Sequence, residues 1–294
     1  MPYTLTNKLL ELHVDFPSEN YTGSRFDWSG KITSVKFQNI SITGVEQTNL
    51  AEGIHRGKGF YNEFGINSPL GFDTTEIGDW FHKIGVGLLK KDSDIYDFQK
   101  NYEVHPAEFN VIKSKTQITS TCIAKLYNGF GYILNKEIAL FKSGFTIRYQ
   151  LKNTGDKTIK TNEYNHNFLA VDKSLIGIEY HLKFSFPLQP NLFGETVNPE
   201  KKAILGKDDV SFIGTPQEQF FFSNLSGGKT VYAQWELLNL KSNIGIRETG
   251  SFPTNSFNLW GWTHVISPEI YHTIALNPGE TTSWSRTYDI FTIA

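Results

Sequence analysis

Two short stretches hold the side chains best suited to moving protons. Residues 161–168 read TNEYNHNF and set His166 between two asparagines, at the start of a new strand. A histidine so flanked sits in a polar setting, and its imidazole gives or takes a proton near neutral pH. Residues 260–270 read WGWTHVISPEI and put Glu269 directly after a proline, among apolar and aromatic neighbours. Desolvation in such a place raises a carboxyl pKa toward the range useful to a general base. Each also has a plain structural reading: a histidine that braces a turn, and a surface glutamate at a strand start. Other chemistries lack their residues. No two histidines stand at a ligand spacing beside cysteine or carboxylate, so no metal is expected. There is no Gly-x-Ser-x-Gly nucleophile elbow, and Gly57-Lys58-Gly59 runs into an aromatic loop instead of opening a helix. The single cysteine, Cys122, forms no internal disulfide and reads as a small buried side chain.

The elements that must carry these residues are strands. Phe145, Ile147, Tyr149 and Leu151 alternate with Thr146, Arg148, Gln150 and Lys152. Tyr180, Leu182, Phe184, Phe186 and Leu188 repeat the pattern, as do Val231, Ala233, Trp235 and Leu237. Period-two alternation of this kind marks half-buried strands of antiparallel sheets. Turn signals separate them at 153–156 (NTGD), 226–228 (SGG) and 277–280 (NPGE). In the last, Pro278 presets the first central position and Gly279 accepts the positive φ of a type II turn, joining strands at 269–276 and 281–290. Short helical turns are conceivable only at 199–205 and after Pro216. Strands with turns every 8–12 residues predict an all-β fold, a large antiparallel sandwich built as one domain over residues 1–294. Two regions break the rhythm, 51–83 and 189–219. The first mixes glycines with aromatic and charged residues, and it is expected to line a site.

Composition narrows the function further. Aromatic residues make up 14% of the chain, which suits both strand packing and the apolar faces of sugars. The formal charge is −2 with no basic run, which argues against a nucleic-acid partner. The first residues, MPYTLTNKLLELHVDF, lack the apolar core and cleavage site of a signal peptide. No segment approaches the ~20 apolar residues needed to span a bilayer. A soluble cytoplasmic protein, monomer or homodimer, is expected.

Residues 147–155 (IRYQLKNTG) followed by 165–168 (NHNF) resemble the aldose 1-epimerase, or galactose mutarotase, superfamily. Its members have a strand, an Asn-Thr-Gly-like turn and then a strand start bearing the catalytic histidine. Pro268-Glu269, with the hairpin at 278–280, is similar to the family's catalytic glutamate and closing hairpin. Residues 25–32 (RFDWSGKI) look like its opening strand pair. Arg56-Gly57, Phe64-Gly65 and Gly71-Phe72 look like the loop lining its sugar cleft. The chain departs from the pattern where relatives carry a second histidine before Gly-Phe, since Leu70 stands there, with His82 a conceivable substitute. Asp73 and Thr74 occupy the place of the family's sugar-clamping arginine.

The resemblance implies a galactose mutarotase-like supersandwich that interconverts sugar anomers by general acid–base catalysis, without cofactor or metal. His166 is then the acid and Glu269 the base, standing farther apart than a hydrogen bond with a sugar ring between them. Arg56, Asp73, His82 and His264 are candidates for holding hydroxyl groups. Two alternatives stay open. One is a lyase or hydrolase on a modified or polymeric sugar, for which Glu63 would be the second carboxylate. The other is a non-catalytic carbohydrate-binding protein, which has no use for a matched acid and base.

Overall fold

Side chains that alternate along the sequence alternate in space. Phe145, Ile147, Tyr149 and Leu151 are buried, as are Tyr180, Leu182, Phe184, Phe186 and Leu188. The computed structural model describes residues 2–48 and 56–293, and strand takes 54% of it against 3% helix. In chain order come β1 (Tyr3–Thr6), β2 (Leu10–Asp15), β3 (Lys31–Phe37), β4 (Ile40–Ser41) and β5 (Phe60–Phe64). A small group follows, β6 (Trp80–Lys83), β7 (Gly87–Lys90) and β8 (Val104–Pro106). Next are β9 (Glu108–Lys113), β10 (Gln117–Tyr127), β11 (Phe130–Leu140), β12 (Gly144–Asn153) and β13 (Ile159–Asn167). Shorter strands come after, β14 (Tyr180–Phe184), β15 (Thr196–Val197), β16 (Ala203–Leu205), β17 (Asp209–Phe212) and β18 (Phe220–Phe222). The C-terminal part forms β19 (Val231–Asn239), β20 (Ile244–Thr254), β21 (Phe257–Trp262), β22 (Val265–Leu276) and β23 (Thr281–Thr292).

Two ten-stranded antiparallel sheets result. One runs β1-β2-β3-β5-β13-β22-β21-β18-β15, with β4 beside β3; the other runs β16-β17-β14-β19-β20-β23-β12-β11-β10-β9. A three-stranded sheet, β6-β7-β8, stands apart from both. The large sheets pack face to face through rings such as Phe60 of β5 against Phe145 and Tyr288 of the other sheet. This is the large antiparallel sandwich that the alternation predicts. The closing hairpin forms as expected, with Gly279 at φ 82° and Glu280 N–H donating to Asn277 O at 3.1 Å. Cys122 is fully buried.

Local expectations fail in two places. Residues 203–205 pair with 210–212 as strands instead of coiling, because tertiary pairing overrides a weak local preference. Among the described residues, short 3₁₀ turns lie elsewhere, at Phe72–Thr74, Val171–Lys173 and Pro190–Leu192. Residues 25–30 form bends and a turn, not the first strand of a pair, and regular structure starts at Lys31.

Candidate active site

The register of two central strands brings His166 and Glu269 together. β13 pairs with β22 from Ile159↔Leu276 to Tyr164↔Tyr271, and the same register reappears at Leu169↔Ile266. His166 therefore falls opposite Glu269. Alternation decides which side chains face outward: Tyr164 and His166 line a pocket, while Glu163, Asn165 and Asn167 are buried and bond to groups of the opposite sheet. The pocket holds about 720 Å³. Beyond the pair, β21 supplies Asn258, Trp260 and Trp262 to its wall, and β18 supplies Phe221. Phe221 lies opposite Trp260 across the β18–β21 pair. Ring faces of this kind suit the apolar C–H faces of a sugar.

His166 Nε2 lies 3.4 Å from Glu269 Oε1. The pair is thus adjacent on the pocket floor, which corrects the expectation of a ring-wide gap between the two. The imidazole stacks on Phe168 at 4.0 Å and meets the edge of Trp260 at 5.2 Å. Glu269 accepts from Tyr271 Oη at 3.2 Å. Both side chains are nearly buried, and burial sets their protonation. It pushes the Glu269 carboxyl up to about 8, against the opposing pull of Arg25 and the Tyr271 hydroxyl. Burial and the Arg25 charge together hold His166 well below the usual histidine range. At neutral pH the Glu269 carboxyl is therefore protonated and His166 is neutral.

Arg25 is the site residue that sequence reading missed. It projects from the bends before β3 into the pocket wall. Its guanidinium donates to Glu63 Oε2 at 2.9 Å, Glu46 Oε1 at 3.1 Å and the Tyr164 hydroxyl at 3.1 Å. Phe26 and Phe98 lie 4.5 and 4.7 Å from it. The only local signal was an arginine beside an aromatic in a Gly/Ser-rich stretch, and its partners are all distant in sequence. Glu63 is fully buried and absent from the pocket wall. Its Oε1 takes Lys83 at 2.9 Å, and its Oε2 takes Arg25 and, at 2.8 Å, the Tyr164 hydroxyl. Burial raises its pKa, but Lys83 and Arg25 outweigh burial and hold it below the ordinary range. A hydrolase thereby loses the second carboxylate weighed for it.

The remaining sequence candidates divide. Residues 51–83 are not one loop, since β5 and β6 form within them; Arg56 before β5 and Ile66 and Asn67 after it line the pocket, and residues 51–55 lie outside the described residues. His82 does not reach the pocket. It is buried on β6 with Nε2 3.3 Å from Tyr127 O, in the wall of a separate cavity of about 460 Å³. Asp73 is exposed on the short 3₁₀ turn, pointed to solvent because that turn buries Phe72 instead. His264 is absent from the pocket wall; its Nε2 meets Val45 O at 3.0 Å, beside Glu46 and Gln47, which do line the pocket. No three His, Cys, Asp or Glu side chains among the described residues form a group able to hold a metal ion. No helix among them is long and apolar enough to cross a membrane.

Solved structures share this architecture over their whole length. An Escherichia coli K12 protein provisionally assigned as an aldose 1-epimerase superposes with a TM-score of 0.64 at 12% identity, covering 100% of this chain and 99% of that one. A Synechocystis sp. PCC 6803 protein gives 0.63 at 12%, covering 99% and 96%. A galactose mutarotase related enzyme from Lactobacillus acidophilus gives 0.60 at 12%, covering 100% and 98%. No family model matches the chain, and no curated protein matches it in sequence. The likeness establishes the galactose mutarotase-like β-sandwich fold.

Proposed function

We propose that the chain is an aldose 1-epimerase-type isomerase that interconverts the anomers of a free sugar in the cytoplasm, through His166 and Glu269. One observation carries this reading: His166 and Glu269 lie 3.4 Å apart on the floor of an aromatic-walled pocket. The anomeric hydroxyl and the ring oxygen are bonded to the same carbon. Adjacent acid and base groups therefore suit a hemiacetal better than groups separated by a whole ring.

Neutral His166 takes the proton of the anomeric hydroxyl while Glu269 gives its proton to the ring oxygen. The C1–O5 bond breaks and a carbonyl forms at C1. C1 turns about the C1–C2 bond. The Glu269 carboxylate then recovers the proton from O5 as O5 attacks the other face of C1, and His166 returns its proton to O1. The initial roles are opposite to those the family resemblance implies. Because the reaction is its own reverse, each residue acts as acid and as base within one turnover. The charge of Arg25, fixed by Glu46, Glu63 and Tyr164, favours the Glu269 carboxylate and stabilises it when it forms.

Anomer exchange measured by NMR over a panel of aldoses tests the reading. Exchange of at least one sugar above its spontaneous rate is expected. Tight binding of an aldose with no exchange would instead make this a binding protein. On a sugar that is turned over, kcat/KM should fall as pH rises through about 8, where Glu269 loses its proton. The acid limb, where His166 gains one, should lie well below 6.5. A rate that climbs through pH 8 would contradict the proton placement. Phe221→Ala should raise KM several-fold to about tenfold and leave kcat unchanged, since the ring contacts ground state and transition state alike.

A further inference from the structure

We infer that Asn167 is a positioning residue that sets the spacing of His166 and Glu269 by replacing a strand ladder broken at Pro268; this rests on the acid–base reading of that pair. The chain of observations starts at Leu169↔Ile266, where both backbone hydrogen bonds form, each at 3.0 Å. In an antiparallel ladder such doubly bonded pairs recur every second residue, so the next one is Asn167 with Pro268. Proline has no N–H to give, and it is rarely tolerated within a central strand. The pairing is instead made by side chains. Asn167 N–H donates to Ser267 Oγ at 3.0 Å, and Asn167 Nδ2 donates to Pro268 O at 2.7 Å.

The carboxamide that makes this link is itself held on every side. Its Nδ2 also donates to Glu248 Oε2 at 3.0 Å, and its Oδ1 accepts from the Tyr288 hydroxyl at 3.0 Å. Glu248 is fixed by Arg286 Nη1 at 2.6 Å and Trp235 Nε1 at 2.8 Å. Asn167, Glu248 and Arg286 are all fully buried, so the link is anchored in the second sheet. Asn167 follows His166 and Pro268 precedes Glu269. The Asn167 carboxamide, with the Ser267 hydroxyl, thus fixes the backbone beside both catalytic candidates. A backbone ladder would hold them as firmly, but proline lacks the N–H that one of its two bonds needs at this point.

The test uses Asn167→Ala and Ser267→Ala in the full chain, with three readouts: Tm, kcat and KM for anomer exchange, and the Glu269 titration followed by carboxyl carbon NMR. Neither variant removes Arg25, Glu46, Glu63, Tyr164 or Tyr271, the groups that surround the pair. For Asn167→Ala, kcat should fall about 10–100-fold with KM within about twofold, as for a misplacement near 1 Å. The Glu269 titration should move down by about one pH unit or more as water gains access. Ser267→Ala should shift both in the same direction by less, and it decides the matter if Asn167→Ala does not fold. A lowered Tm with kcat of the folded protein and the Glu269 titration unchanged would overturn the inference. The titration needs no substrate. If the wild-type protein exchanges no sugar, the proposed activity falls while the spacing role is still decided.

Discussion

His166→Asn and Glu269→Gln should each slow anomer exchange by about 10²–10⁴-fold, the range for loss of a general acid or base. Both substitutions keep size and hydrogen-bonding capacity and remove only the transferable proton. Asn at 166 can still lie against Phe168 and Trp260, and Gln at 269 can still accept from Tyr271, so both variants should fold. KM should change little, because neither group binds the sugar more tightly in the ground state than its replacement does. The double variant should be only slightly slower than either single one, since a proton relay with one member missing is already broken. The measurement is NMR exchange on a sugar that the wild-type protein turns over. If both single variants run at the wild-type rate, His166 and Glu269 are not the acid and base, whatever the fold. Arg25 offers a contrast. Its removal also takes a cation from Glu46 and leaves buried Glu63 to Lys83, so loss of activity in such a variant would not isolate chemistry from folding.

What the sequence revealed, and what it hid, follows from how far each feature reaches along the chain. The strands carrying Phe145 to Leu151 and Tyr180 to Phe184 were legible because each is buried on one face, and alternation is a local signal; Phe186 and Leu188 are buried beyond the end of β14. The hairpin at 277–280 was legible because its turn type demands particular residues at particular places. His166 and Glu269 stood out through their immediate neighbours. Their separation did not, because it depends on the register between β13 and β22, which no short segment encodes. Arg25 escaped notice for the same reason: Glu46, Glu63 and Tyr164 give it its place, and all arrive from other elements. Charge and glycine density marked residues 51–83 as a loop near a site, and Arg56 does line the pocket. Density cannot say which way a side chain turns. On β6, His82 turns into a separate cavity, and on the 3₁₀ turn Asp73 faces out while Phe72 takes the inside.

Glu269→Gln should also make the protein more stable, by an amount that grows with pH. The sign follows from proton linkage. Below pH 4.5, the ordinary value for glutamate, the carboxyl is protonated in both the folded and the unfolded chain, and burial carries no penalty. Between 4.5 and about 8 the unfolded chain releases the proton while the folded chain retains it, so stability is lost as pH rises. The slope is about 1.4 kcal/mol per pH unit, which amounts to roughly 3 kcal/mol by pH 7. Glutamine does not titrate and escapes this loss. Its amide can donate toward His166 Nε2, and its oxygen can accept from Tyr271, so neither neighbour is left unpaired. For a chain of this size the gap corresponds to several degrees in Tm near neutral pH, shrinking toward zero near pH 4. Thermal unfolding of the two proteins from pH 4 to 8 measures it. A variant no more stable than wild type across that range would mean that burial does not hold the carboxyl neutral, and the proton placed on Glu269 would lose its basis. A widening gap would mean that the fold bears a standing cost to keep an ionisable carboxyl on the pocket floor. A residue that weakens the fold and yet occupies the centre of the site is what selection for proton transfer, and not for packing, leaves behind.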